Sequence, residues 1–281
     1  MSNLHERKVK VDNLEFCNSL PFILISGPCQ IEGREHALKV CSKIDEISKK
    51  TDVKFVYKSS FDKANRSSHE SQRGVGLKKG LEILAEIKER FNCPVLTDVH
   101  ESSQCKEVSK YVDIIQIPAF LCRQTDLLIA ASKTNCTVNV KKGQFLSPWE
   151  MKNVVSKLKS TGNEKILVTE RGTMFGYNNL VNDMRSLPIL KETGFPVIFD
   201  ATHSVQLPGT LGKSSGGQRK YVETLSKAAI TTGISSIFIE THDEPSIAPS
   251  DGPNMVALND LSNLLSKLKL FDNLTKKQLT D

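Results

Sequence analysis

Eight short β-branched runs recur along the chain, each apolar at its start and each ending in residues able to do chemistry. They are PFILISGPC (21–29), VKFVYKSS (53–60), PVLTDVH (94–100), IIQIPA (114–119), TVNVKKG (137–143), KILVTERG (165–172), PVIFDATHS (196–204) and SIFIETH (236–242). A short unbroken apolar run bounded by polar residues reads as a strand buried on both faces. Between the runs the pattern changes to the 3.6-residue period of amphipathic helices. Residues 35–50 put Ala37, Val40, Cys41, Ile44 and Ile47 on one face, and residues 77–91 do the same with Leu77, Leu81, Leu84, Ile87 and Phe91. The segment SPWEMKNVVSKL opens with Ser147 as N-cap, Pro148 at the first helical position and Glu150 at the third, a capping box. Near residues 258–269, Leu258, Leu261, Leu264, Leu265 and Leu268 share an inner face. Strands separated by helices are parallel and joined by right-handed crossovers. Eight such units predict an α/β fold, a closed (β/α)8 TIM barrel, whose active site sits at the C-terminal rim of the strands.

Length agrees. The chain has 281 residues, close to the ~250 of one such barrel. With no Pro/Gly/Ser-rich linker, residues 1–281 are expected to form a single barrel domain. About residues 1–20 are read as an N-terminal extension, in which residues 8–16 form a short strand or hairpin capping the bottom of the barrel. Two loops, KANRSSHESQRGVG (63–76) and QLPGTLGKSSGGQR (206–219), exceed ordinary connectors and read as lids or substrate-binding loops.

Composition narrows the function classes. No stretch approaches the ~18 apolar residues of a membrane span, so no membrane partner is expected. The charged N-terminal segment lacks the apolar core of a secretory signal. The seven cysteines are odd in number and show no CxxC spacing. Reduced thiols and a cytoplasmic location are expected. The net charge is +6, but lysines alternate with acidic residues in GLKKGLEILAEIKERF and in the tail LTKKQLTD. That is a solvated surface and not a nucleic-acid stripe, so nucleic acid is not an expected partner. The positive excess helps draw anionic small molecules to the rim.

Cations gather where the strands end: Lys58 and Lys63 after the second run, Lys141 after the fifth and Arg171 after the sixth. Like charges converging on one rim repel unless an anion completes the site, and a small phosphorylated acid suits them. Cys29, His203 and Glu240 end three strands that a closed barrel makes neighbours, ~4.8 Å apart. Asp251, in the loop after the last strand, can fold back over them. One thiolate, one imidazole and two carboxylates compose a divalent-metal site. His242 and Asp243 compete as ligands, and the bland alternative is a packed thiol beside a hydrogen-bonded histidine. Asp98, His100 and Gln116 end the third and fourth strands, opposite this cluster, and either hold sugar hydroxyls or serve as structural hydrogen bonders. No GxSxG is present, and GVG at 74–76 follows no strand, so neither a serine nucleophile nor a dinucleotide fingerprint is assigned.

With these residues assembled, the chain closely resembles the 3-deoxy-D-manno-octulosonate 8-phosphate synthase family from about residue 20 to residue 270. The motifs are KSSFDKANRSS (58–68), TDVHE (97–101), QIPAFLCRQTDL (116–127), NVKKGQF (139–145), RGTMFGYNNLVNDM (171–184), FDATHS (199–204) and SDGPN (250–254). The resemblance implies condensation of phosphoenolpyruvate with arabinose 5-phosphate and water, giving the eight-carbon sugar acid phosphate and inorganic phosphate for the lipopolysaccharide inner core. It also implies a homotetramer. By motif, Lys58, Ser60, Gln116, Lys141 and Arg171 match the phosphoenolpyruvate pocket. Lys63, Asn65, Arg66, Ser67 and Asp98 match the arabinose 5-phosphate site, with Arg66 and Ser67 reaching a neighbouring subunit's sugar phosphate. Lys63, Lys141, His203 and Cys29 are the expected catalytic group. The family's metal-independent branch carries Asn where this chain has Cys29, so Cys29, His203, Glu240 and Asp251 are expected to hold zinc, iron or manganese, with no organic cofactor. Two rivals remain: the sister synthase that uses erythrose 4-phosphate, which resembles KPRTS where this chain has KANRSS, and a silent barrel that senses sugar phosphates.

Overall fold

The computed structural model describes residues 6–65, 72–207 and 216–280. Two antiparallel strands come first, β1 (Val9–Val11) and β2 (Leu14–Phe16). Val9, Val11, Leu14 and Phe16 alternate with exposed residues, so one face of this hairpin is apolar and buried. Asp12 takes the left-handed conformation (φ 51°) at its turn, which Asp tolerates better than most residues. The hairpin lies at the N-terminal ends of the barrel strands. The Arg7 amide donates to the Gly194 carbonyl (3.0 Å), and Asn18 both donates to the Phe195 carbonyl (3.4 Å) and accepts from the Val197 amide (2.8 Å).

Seven further strands then alternate with helices in chain order: β3 (Ile23–Gly27), α1 (Arg34–Thr51), β4 (Phe55–Lys58), α2 (Leu77–Phe91), β5 (Val95–Asp98), α3 (Ser102–Val108), β6 (Ile114–Ile117), α4 (Thr125–Ser132), β7 (Thr137–Lys141), α5 (Met151–Lys159), β8 (Ile166–Glu170), α6 (Ser186–Lys191) and β9 (Val197–Asp200). A two-residue ladder, β10 (Gln206–Leu207) with β11 (Gly216–Gly217), precedes α7 (Val222–Ile230) and the eighth barrel strand, β12 (Ser236–His242). Every barrel pairing is parallel, and β12 bonds to both β3 and β9, which closes the cylinder. β13 (Val256–Ala257) adds to the end of β12, and α8 (Leu258–Thr280) completes the outer ring.

Each barrel strand is buried along its whole length, as its apolar run requires. All eight runs contain their strands, and α2 spans the predicted residues 77–91. The capping box forms as read, with the Ser147 amide and hydroxyl both on Glu150 Oε2 (3.0 and 3.1 Å), although the first turn is 3-10 and α5 starts at Met151. The last helix departs from expectation. It runs 23 residues, through the tail taken for solvated surface. With no Gly or Pro to stop it, the helix carries Asp272 and Lys276 inward. Asp272 Oδ2 accepts the Phe22 amide (3.0 Å), and Lys276 donates to the carbonyls of Asn18 and Ile234 (2.7 Å to the latter).

Candidate active site

At the strand ends β3 and β4 come unusually close. A Cβ on Gly27 would lie 2.0 Å from the Lys58 carbonyl oxygen, so only glycine fits there. The chain then turns to deliver Cys29, whose Sγ donates to Asp251 Oδ2 (3.0 Å) from the loop after β12. Cys29, Glu240 and Asp251 offer ligand atoms within 4.8 Å of one another. His203, in the loop after β9, stands outside this triangle: its Nε2 is 3.6 Å from Glu240 Oε2, and its Nδ1 lies 2.8 Å from Asp200 Oδ2. Three of the four expected ligands therefore converge directly, and the fourth adjoins them through Glu240.

Several features of this cluster suit a cation. Glu240 Oε2 is buried and has no hydrogen-bond partner. Burial, and then the neighbouring charge of Glu240, push the Cys29 thiol well above its ordinary pKa, so the thiolate form needs a counter-charge. Burial opposes the charges on Glu240 and Asp251, yet Lys58 with His203 holds Glu240 below the usual carboxylate range, and His203 with Lys63 does the same for Asp251. Sulfur, imidazole and carboxylate donors together fit a borderline divalent ion.

Beside the cluster opens a cavity of about 350 Å³. Lys58, Lys141 and Arg171 bring three cations to it, each no more than 4% exposed. Lys58 Nζ donates to Glu240 Oε1 (2.7 Å) and to the Cys29 carbonyl (3.2 Å). Lys141 pairs closely with Asp200 and stands 3.4 Å from the centroid of the Phe238 ring. Burial lowers the pKa of Lys141 and of Arg171, while Asp200 counteracts it in both. Arg171 Nη2 donates to Gln206 Oε1 (2.8 Å), and its buried Nη1 makes no hydrogen bond. Around Lys63, burial works against the charge, but Cys29, Glu240, Asp98 and Asp251 hold this ammonium above the ordinary lysine pKa.

The opposite wall carries amides, hydroxyls and one carboxylate. Asp98 accepts from both Ser60 and Gln116. Gln116 Oε1 takes the Asn139 amide (2.9 Å), and Asn139 Oδ1 takes the Thr169 hydroxyl (2.6 Å), so a chain of side chains from β5 to β8 fixes the wall. Burial disfavours the Asp98 charge, but Lys58 and Lys63 keep its pKa well below normal. Asp98, His100 and Gln116 line the cavity with Lys63 and Asn65. Ser60, expected as a direct ligand, does not line it and instead supports Asp98. Arg66 and Ser67 lie outside the described residues, as do parts of both long loops.

Two residues of this site carried no assignment in the sequence. Asp200 joins Lys141 to His203, and Gln206 bridges Arg171 to Asp251 Oδ1 (2.7 Å). The FDATHS motif contained the first, and the second opens the 206–219 segment read as a lid or substrate-binding loop, with no role of its own. His242 and Asp243, the competing ligands, turn elsewhere: His242 Nε2 bonds Glu32 Oε1 at 2.8 Å.

This constellation can be set beside known proteins. A profile described as the DAHP synthetase I family matches residues 8–277. The chain belongs to the DAHP synthetase I family. Within it, the chain is 60% identical over 273 residues to the 2-dehydro-3-deoxyphosphooctonate aldolase of Rickettsia canadensis (strain McKiel), covering 97% of this chain and all of that protein. It is 57% identical over 270 residues to the protein of that name from Bartonella tribocorum (96% of this chain, 97% of that one). The Brucella anthropi protein of the same name is 59% identical over 268 residues, or 95% and 97% of the two chains. These relatives bear out the resemblance read from the motifs.

Proposed function

We propose that this chain condenses phosphoenolpyruvate with D-arabinose 5-phosphate and water to give 3-deoxy-D-manno-octulosonate 8-phosphate and inorganic phosphate. The observation that carries this reading is the convergence of three buried cations on one cavity, beside a thiol–carboxylate cluster. Glu240 and Asp200 offset Lys58 and Lys141 in part, while Arg171 keeps a buried nitrogen without a partner, which a small polyanion satisfies. Arg171, with its free Nη1 fork, and Lys141 grip the carboxylate and phosphate of phosphoenolpyruvate, while Lys58 and Gln116 line its bed. Lys63, Asn65 and Asp98 receive the sugar phosphate, with Asp98 accepting hydrogen bonds from its hydroxyls as an ionised carboxylate. Arg66 and Ser67 complete that end from a neighbouring subunit of a homotetramer. Cys29, Glu240 and Asp251, joined by His203, hold a zinc, iron or manganese ion, which supplies Lewis-acid polarisation to water or the aldehyde.

The reaction places C3 of phosphoenolpyruvate on the sugar aldehyde carbon while water adds to C2, and the tetrahedral product expels phosphate by C–O cleavage. Lys63, kept protonated by the anions around it, stabilises the alkoxide that develops on the aldehyde oxygen. His203, turned by Asp200 through Nδ1, offers Nε2 as the fourth ligand and so helps place the attacking water, whose two protons end on the new hydroxyl and on phosphate. Lys141, whose pKa burial has lowered, is the better proton donor of the two cations gripping the departing phosphate. The chain works in the cytoplasm, in lipopolysaccharide inner-core synthesis, and takes no organic cofactor. Among the described residues no helix is long and apolar enough to cross a membrane.

Phosphate release from the two substrates is measured on chelator-stripped protein, before and after divalent metals are returned. Release restored by metal supports both the condensation and the cluster's role. Full activity in metal-free protein removes the metal, and release with erythrose 4-phosphate in place of the pentose phosphate overturns the substrate.

A further inference from the structure

A second set of metal-binding side chains lies where three segments meet: Glu32 in the loop after β3, His36 in the first turn of α1 and His242 at the end of β12. Their ligand atoms lie within 4.8 Å of one another. The two imidazole rings are 4.8 Å apart, centroid to centroid. His242 is 2% exposed and places Nε2 2.8 Å from Glu32 Oε1; His36 Nδ1 is 3.8 Å from the same oxygen. The other His36 nitrogen, Nε2, pairs with Asp243 Oδ1 (3.1 Å), and Lys39 donates to Asp243 Oδ2 (2.6 Å).

The hydrogen bonding engages only one side of the His36 ring. Nε2 pairs with Asp243, and Nδ1 faces Glu32 and His242. That nitrogen is buried and makes no hydrogen bond. A carboxylate holding the far ring nitrogen is the arrangement that orients histidines for metal. A network of hydrogen bonds alone would give this nitrogen no role.

We propose that Glu32, His36 and His242 bind a second divalent cation of the zinc class, with Asp243 positioning the His36 ring. Two imidazoles and one carboxylate, without sulfur, suit zinc and its first-row neighbours, and they leave a coordination position open to solvent. On binding, the ion takes the place of the His242–Glu32 hydrogen bond. The His242 proton then moves to Nδ1, where Asp243 Oδ1 (3.2 Å) receives it and the Glu244 amide gives up the hydrogen bond it donates to that nitrogen in the ion-free site (2.9 Å). Glu32 follows Cys29 by three residues and His242 follows Glu240 by two, so the ion acts as a clasp across the two strand ends that carry the first cluster.

The test titrates whole, chelator-stripped protein with zinc by calorimetry and with cobalt as a spectroscopic probe. Wild type takes up two ions per chain. His36→Gln takes up one, which retains the sulfur-to-cobalt charge-transfer band of Cys29. Cys29→Ser also takes up one, without that band, and Cys29→Ser with His36→Gln takes up none. Asp243→Asn keeps all three ligands and weakens the second site about 10–100-fold. Zinc also raises the melting temperature of Cys29→Ser, and the rise disappears when His36→Gln is added. Equal zinc uptake by wild type and a folded His36→Gln overturns the proposal. So does a lack of zinc uptake by folded Cys29→Ser. Failure of the Cys29 site itself reads differently, as loss of the charge-transfer band from wild type.

Discussion

Replacing Gln206 with alanine tests the proposed site at a point where two of its functions meet. The side chain donates to Asp251 Oδ1 at 2.7 Å and accepts from Arg171 Nη2 at 2.8 Å. Each bond engages a charged group, a kind worth about 1.5–3 kcal/mol. Gln206 is half-buried, so water can enter the space, and the lower end of that range applies. About 1.4 kcal/mol at each end is a tenfold effect. Arg171 loses the contact that aims its guanidinium, and the phosphoenolpyruvate KM is expected to rise roughly tenfold with a smaller change in kcat. Asp251 keeps Cys29 and the Ser250 hydroxyl on Oδ2 but loses the Gln206 contact on Oδ1, and metal affinity is expected to fall by a similar factor. Steady-state phosphate release with arabinose 5-phosphate saturating gives the first number, and competition with a chelating dye gives the second. A melting temperature close to wild type confirms that the fold is intact. If both constants stay within about twofold of wild type, the bridge is incidental and the coupling argued from it is wrong.

Gly27→Ala drives a methyl group into the Lys58 carbonyl, and the strain should lower the melting temperature by roughly 2–10 °C. An unchanged midpoint in differential scanning calorimetry would show that β3 and β4 separate freely. Lys276→Met removes the bonds to Asn18 and Ile234 and strands Asp272, whose pKa burial already raises. Urea unfolding should show a loss of roughly 3 kcal/mol, and a loss under about 1 kcal/mol would refute the anchoring. Asp98 and Asp200 have folded pKa values below their unfolded ones. Their stabilisation is therefore complete above about pH 4 and is lost as pH falls toward the folded values. Unfolding free energy should decline below that pH, and less steeply in Asp200→Asn; identical slopes would count against the Asp200 assignment.

The barrel was legible because its signals are local. A strand sheathed by helices on one side and neighbouring strands on the other must be apolar throughout, and β12 matches its run residue for residue. The rim cations were legible because each ends such a run or, for Lys63, closely follows one. What escaped notice depends on partners distant in sequence. Lys276 reads as one more surface lysine until Asn18 and Ile234 are seen to receive it, 258 and 42 residues away. Gln206 opens a segment with no periodicity, in a two-residue strand, and gains meaning only between Arg171 and Asp251. Ser60 belongs to a motif whose neighbours line the cavity, yet its hydroxyl is spent on Asp98. His242 carries the right chemistry, and the register of β12 alone could not tell which cluster it would join.

The packed interior of the barrel gives the cavity a floor, so its contents come and go at the strand-end rim. Lys58, Lys141 and Arg171 lie at its depth, whereas Lys63 is half-buried and Asn65 exposed nearer the opening. A molecule held by the deep cations must arrive before anything seated at the mouth, because the second arrival blocks the passage. Kinetics should therefore be sequential, with the three-carbon acid first. The eight-carbon product, built outward from that acid, must vacate the mouth before a fresh molecule can reach the floor.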